Sequence, residues 1–122
     1  REVLATGRIE ELRLLAEAVS ERHVAPGVAL RVAPANRRAM QHALDEGIAA
    51  ALLRAGAQWL EPGARPAPRV PGTRLVTRPG RHADERLVGF AVAGAAAVAG
   101  RIIDPEAMRR EQRRVSSRRP KR

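Results

Sequence analysis

Apolar side chains recur every three or four residues along positions 8–22, which is the spacing of an amphipathic helix. Charged residues occupy most of the positions between them. The apolar set is Ile9, Leu12, Leu15, Ala16 and Val19. Thr6 stands where an N-cap residue is expected. The pattern therefore predicts a helix from Arg8 to Arg22 that is capped by Thr6.

Short apolar runs next to glycine and proline predict strands over residues 2–5, 28–32, 57–60 and 73–77. Further helices are predicted over 37–44, with Asn36 as N-cap, and over 48–53 and 91–99. Gly47 separates the first two of these helices, and Gly56 ends the second. Residues 61–72 contain four prolines. They are predicted as a loop, because proline fixes its own φ and cannot donate a ladder hydrogen bond.

Alternation of strands and helices with short connections predicts an α/β chain, with a three-layer α/β/α fold and a mainly parallel sheet. At 122 residues, one compact domain is expected, and we assign it to residues 1–105. Residues 106–122 form a basic C-terminal segment. We predict a frayed helix over 106–115 and a disordered end, because residues 116–122 have no apolar side chain to bury.

The composition narrows the possible chemistry. The chain has no cysteine, which excludes disulfides, thiolate nucleophiles and cysteine-ligated metal centres. His23, His42 and His82 fall in different elements without metal-ligand spacing, so no catalytic residue and no metal site is predicted. The sequence has neither an apolar run of roughly 18 residues nor a signal-peptide pattern. We therefore expect no membrane association and a cytoplasmic location.

Most of the net charge of +10 lies in the C-terminal segment. Residues 106–122 contain eight basic and two acidic residues, which supply +6 of it. Clustered arginines can contact nucleic-acid phosphates in a salt-dependent, sequence-nonspecific way. No aromatic residue is interleaved to stack on bases. A solvated terminus is therefore the favoured interpretation, and nucleic-acid binding is the alternative.

Several short motifs follow one another in a recognisable order. Residues 7–13 read Gly-Arg-Ile-Glu-Glu-Leu-Arg, and residues 97–105 read Ala-Val-Ala-Gly-Arg-Ile-Ile-Asp-Pro. Between them lie Val-Ala-Pro-Gly-Val at 24–28, Ala-Leu-Asp-Glu-Gly at 43–47 and Glu-Pro-Gly at 61–63. Together they resemble the C-terminal part of the α/β/α region of the 3-isopropylmalate dehydratase large subunit, in the aconitase superfamily. The resemblance implies the same α/β/α architecture.

The resemblance also shows what is missing. The family carries Gly-Cys-Gly-Pro-Cys where this chain reads Gly-Ala-Arg-Pro-Ala at 63–67, and its two thiolates hold a [4Fe–4S] cluster. Its first cluster cysteine corresponds to Leu4. The three cluster-ligand positions are thus Leu4, Ala64 and Ala67, and none supplies the soft thiolate that such a cluster needs. We therefore expect no cofactor.

Two arginines remain as candidates for substrate contact. The resemblance implies that the family's Ser-Asn-Arg-Asn-Phe-x-Gly-Arg substrate segment is shortened here to Thr-Arg-Pro-Gly-Arg at 77–81. Arg78 and Arg81 are then vestigial substrate-binding residues, because a guanidinium can grip a carboxylate bidentately. No base or metal ligand accompanies them, so a solvated or structural role is the favoured interpretation.

These observations leave three functions open. The favoured one is a non-catalytic relative or fragment of a hydro-lyase large subunit that is not an enzyme on its own. The first alternative is an interaction module of a split hydro-lyase, which would pair with a small-subunit-like or cluster-bearing chain. The second alternative is a nucleic-acid-binding protein that acts through its basic tail.

Overall fold

The computed structural model describes residues 2–68, 74–78 and 85–100. Nine helices and strands lie within these ranges. In chain order they are β1 (Glu2–Gly7), α1 (Ile9–Val19), β2 (Ala29–Pro34), α2 (Arg37–Asp45), α3 (Ile48–Arg54), β3 (Gln58–Trp59), β4 (Arg74–Val76), β5 (Glu85–Leu87) and α4 (Phe90–Ala99).

In the described ranges, the strands form one parallel sheet in the order β3-β2-β1-β4-β5. β1 is central. It pairs with β2, from Glu2 opposite Ala29 to Gly7 opposite Pro34, and with β4 on its other side. Parallel strands need crossover connections, which α1 supplies between β1 and β2 and α2–α3 supply between β2 and β3. The predicted α/β class is confirmed, and the parallel sheet is consistent with a three-layer α/β/α fold, of which the described ranges show the sheet and one helical layer.

One face of the sheet carries the hydrophobic core, because successive side chains of a strand point to opposite faces. The strand residues in this core are Val3, Ala5, Leu30, Val32 and Leu75. The helices contribute Leu12, Leu15, Val19, Ala43, Ile48, Leu52, Phe90, Ala93, Ala96 and Ala97, and the connecting segments contribute Val24, Ala55 and Ala57. Trp59 packs against the same cluster and is partly buried. All four helices meet in this one core, so they lie on the same face of the sheet.

Small residues allow α1 and α4 to approach each other closely. Residues 93–97 of α4, which read Ala-Gly-Ala-Ala-Ala, are all buried. A Cβ atom added at Gly94 would lie 2.6 Å from the Cβ of Ala18 in α1. At the end of β1, a Cβ on Gly7 would lie 2.5 Å from the ring of Phe90. α4 therefore docks through close backbone approach at glycines as well as through its single aromatic ring.

The predicted cap of the first helix is wrong. β1 continues through Gly7, so Thr6 belongs to the strand, where its N–H donates to the hydroxyl of Thr77 at 2.8 Å. Arg8 is instead the N-cap of α1, and its N–H donates to the Glu11 carboxylate at 3.1 Å. The helix also ends earlier than predicted, at Val19.

The predicted cap of α2 is confirmed, because Asn36 Oδ1 accepts a hydrogen bond of 2.8 Å from the N–H of Ala39. Gly47 separates α2 from α3 with φ of 78°, in the left-handed region that favours glycine. β5 was not predicted. The predicted helix over 106–115 and the disordered end lie outside the described residues. None of the helices in the described ranges is both long enough and apolar enough to cross a bilayer.

The contact between α1 and α4 gives a testable stability prediction. Alanine is ordinarily the better helix residue, by about 1 kcal/mol over glycine. Gly94→Ala should nevertheless lower the free energy of unfolding by about 1–2 kcal/mol, because the new methyl group would overlap Ala18. Urea unfolding followed by circular dichroism measures the difference.

Gly89→Ala is the matched control, since an added Cβ meets nothing within 4 Å there. It should cost less than about 1 kcal/mol, the range of N-cap preferences. An unchanged or raised stability of Gly94→Ala would contradict the close packing of the two helices.

Candidate functional site

The carboxyl ends of β1 and β2 converge with the loop that follows β3. The Ala35 N–H donates to the carbonyl of Gly7 at 2.7 Å, and the Gly63 N–H donates to the carbonyl of Pro34 at 2.7 Å. These bonds hold the start of the 61–68 loop against the end of β2. Open α/β sheets place their ligands at this edge, so the candidate site is here.

The three cluster-ligand positions lie in two different settings. Leu4 is buried inside β1, three residues before the strand ends, and its carbonyl accepts from the Thr77 N–H at 3.2 Å. Ala64 is half-buried and Ala67 is exposed, both in the loop after β3. None of these side chains has a donor atom for iron. In the part of the chain that the structure describes, no group of three His, Asp or Glu residues could replace them. The residues present therefore do not fit a [4Fe–4S] cluster.

Ion pairs and a carbonyl contact hold the loop that carries Ala64 and Ala67. Between these alanines, Arg65 pairs with Glu85 of β5 at 2.7 Å. The next residue, Pro66, accepts a hydrogen bond of 2.7 Å through its carbonyl from Nη1 of Arg74 in β4. Arg74 also pairs with Glu85 at 2.6 Å. Glu85 thus links two arginines, one from the loop and one from the sheet.

The same network continues across the face of the sheet opposite the helices. Glu2 of β1 accepts a hydrogen bond of 2.9 Å from Arg31 of β2, and it lies 3.7 Å from Arg74. The side chains of Glu2, Arg31, Arg74 and Glu85 are each no more than 4% exposed. Buried charges persist only where they are paired and hydrogen-bonded. This buried charge network is therefore a structural element, and sequence reasoning missed it.

The carboxyl of Glu85 experiences two opposing effects. Burial raises its pKa, but the hydrogen bonds and charges of Arg74 and Arg65 outweigh burial and hold the pKa below its ordinary value. The charged form of Glu85 is thus favoured in the folded chain.

Of the two predicted substrate arginines, Arg78 belongs to the described residues. Its side chain is exposed. The preceding residue, Thr77, has a hydroxyl that accepts a hydrogen bond of 2.8 Å from the Thr6 N–H and donates one of 3.1 Å to the Thr6 carbonyl. Arg81 lies outside the described residues, as does His82. His23 and His42, the two histidines that the structure describes, lie on different elements, the first in the segment after α1 and the second in α2.

A cleft of about 360 Å³ lies between the beginnings of α1 and α2. Its lining includes three arginines, Arg8, Arg13 and Arg38, which sequence reasoning did not single out. The remaining lining residues are Ile9, Glu10, Asn36, Ala39 and His42. The sequence did contain a signal for this cleft, because Arg8 and Arg38 lie at the beginnings of α1 and α2. These helices follow the neighbouring strands β1 and β2.

One of these arginines has its own carboxylate partner. Arg13 donates to both carboxylate oxygens of Glu46, from Nε at 2.9 Å and from Nη2 at 2.8 Å. The hydrogen bond between them raises the pKa of Arg13 and lowers the pKa of Glu46. This pair fixes one wall of the cleft.

Comparison with known proteins shows what this chain is similar to. No protein-family model matches the chain. The chain is 34% identical over 113 residues to a 3-isopropylmalate dehydratase large subunit of Mycobacteroides abscessus. The match covers 81% of this chain and 24% of that protein, so the chain spans about a quarter of the length of its curated relative.

The parallel α/β fold and this identity together show that the chain is related to the aconitase superfamily. A relative within that superfamily is the large subunit of 3-isopropylmalate dehydratase, which confirms the resemblance seen in the sequence motifs.

The buried charge network gives a prediction with a pH dependence. Glu85→Gln should lower the free energy of unfolding at pH 7 by about 2 kcal/mol, because it leaves Arg74 without its closest carboxylate. The pKa of Glu85 is depressed by folding, so its contribution is present above the unfolded pKa of about 4.3. That contribution is lost as the pH falls through the lower folded value. The gap between wild type and variant should therefore begin to narrow below about pH 4 and continue to narrow as the pH falls further.

Chemical denaturation at several pH values measures this gap. Glu46→Gln, which breaks the exposed pair with Arg13, is the matched control and should have a much smaller effect. A gap for Glu85→Gln that stays constant between pH 7 and pH 3 would contradict the electrostatic role of this carboxylate.

Proposed function

We propose that this chain is a non-catalytic relative of a hydro-lyase large subunit, which keeps the scaffold and lacks the iron–sulfur chemistry. The observation that carries the proposal is the identity of residues 4, 64 and 67, which are leucine and two alanines. In the family that the chain resembles, a cluster acts as Lewis acid on the substrate, and its ligands are thiolates. Leucine and alanine provide no equivalent donor.

The contacts of the loop support the same proposal. Arg65 stands between the two alanines and turns toward Glu85, and the Pro66 carbonyl is held by Arg74. These interactions hold the loop through groups of the chain itself. Cysteines introduced at 64 and 67 alone would still lack the third ligand, because the side chain of Leu4 has no donor atom.

Anaerobic reconstitution with ferrous iron and sulfide tests the proposal. The chain should take up no stoichiometric iron or acid-labile sulfide and should show no visible absorbance of a cluster, because its donor set is apolar. A cysteine-bearing 3-isopropylmalate dehydratase large subunit treated in parallel is the positive control.

A stoichiometric cluster in this chain would overturn the proposal. So would dehydration of 3-isopropylmalate by the purified chain, with or without a dehydratase small subunit.

A second candidate function is an interaction module that binds another subunit. Four leucines favour it, because each exposes half of its surface or more in the described structure: Leu14, Leu44, Leu53 and Leu87. They lie on α1, α2, α3 and β5, so the exposed apolar surface is distributed over four elements. The relative is by name a large subunit, and a dehydratase small subunit is the partner that this candidate implies.

Light scattering after size-exclusion chromatography tests this candidate. The chain should co-elute with a dehydratase small subunit, and Leu53→Lys and Leu87→Lys should be compared separately to locate the contact. A charge placed in an apolar contact should weaken binding at least about tenfold, which corresponds to roughly 1.4 kcal/mol. Separate elution of the two wild-type proteins at micromolar concentration would count against this function.

A further inference from the structure

We propose that the cleft between α1 and α2 is a binding site for a small organic phosphate. This inference goes beyond the proposed function, since it uses neither the cluster-ligand positions nor the loop after β3. The juxtaposition that suggests it is a concave cavity of about 360 Å³ whose lining includes arginines from the beginnings of both helices. Arg8 precedes α1 on one wall, and Arg38 belongs to α2 on the other.

These two guanidinium groups are available for a ligand. The only ion pair of Arg8 in the described ranges is a long one of 3.8 Å to Glu11, and the Arg8 side chain is 72% exposed. Arg38 is exposed and makes no ion pair with the residues that the structure describes. Arg13, in contrast, is held by Glu46. The cleft therefore contains one fixed arginine and two that can turn toward an anion.

The arrangement favours phosphate over carboxylate. A phosphate carries nearly two charges and three acceptor oxygens, so guanidinium groups on opposite walls can bind it together. A carboxylate has two oxygens in one plane and is satisfied by a single guanidinium fork. Glu10 is the one carboxylate in the lining, so the lining as a whole is net positive.

The cavity is larger than one phosphate group. Volumes above about 300 Å³ are typical of small-molecule sites. Ile9 and Ala39 provide apolar surface in the lining, and the side chains of Asn36 and His42 provide polar groups. The ligand class is therefore a phosphomonoester with a short polar carbon skeleton.

Titration of the full chain with glycerol 3-phosphate and with inorganic phosphate, followed by amide NMR at constant ionic strength, tests the proposal. Shifts should concentrate at residues 8–13 and 36–42. The double variant Arg8→Ala with Arg38→Ala should weaken binding at least tenfold, because charge-assisted hydrogen bonds are lost from both walls. Glu10→Gln should strengthen binding several-fold, because it removes the carboxylate from the lining.

Arg37→Ala is the matched control, since Arg37 is exposed on the same helix and does not line the cleft. Arg37→Ala changes the net charge by as much as Arg38→Ala and keeps the basic tail, so this variant should bind both phosphates like the wild type. Arg38→Ala alone should still weaken binding if the double variant does not fold. The proposal is overturned if the wild type does not bind either phosphate at millimolar concentration, if Arg37→Ala weakens binding as much as Arg38→Ala, or if succinate binds as tightly as glycerol 3-phosphate.

Discussion

The buried guanidinium of Arg74 is the group on which the sheet face opposite the four described helices depends. Its side chain is 1% exposed and contacts Glu85, Glu2 and the carbonyl of Pro66. A buried cation costs several kcal/mol unless its partners compensate, so each of these contacts is required once the arginine is in place. They come from β5, β1 and the loop after β3. One side chain in a central position therefore fixes the relative positions of three segments that are distant in sequence.

This network also explains how the loop keeps its place. In the family that the chain resembles, a metal cluster holds the corresponding segment through two thiolates. Here the pair of Arg65 with Glu85 and the hydrogen bond to the Pro66 carbonyl hold it from within the chain. Under the proposed function, these interactions between protein groups take the structural role of the metal–ligand bonds in the family.

The sequence predicted what depends on local pattern or on side-chain identity. Residues that are close in sequence are enough to recognise the apolar repeat of α1, the Asn36 cap and the alanines at positions 64 and 67. Strand order and register are not encoded in single-sequence patterns. For that reason the sequence did not predict that Thr6 belongs to β1, that β5 exists or that Glu85 pairs with two arginines. The arginine-lined cleft was missed for the same reason, because its walls come from two helices that the sheet brings side by side.

The only indole of the chain lies on β3, the two-residue strand at one edge of the sheet. Trp59 is partly buried against the core there, and the chain contains no tyrosine. Intrinsic tryptophan fluorescence therefore reports the solvent exposure of this edge of the sheet and does not report that of the opposite edge. Any loosening that begins at β5 or at the ion pairs beside it would leave the fluorescence unchanged until the core itself opens.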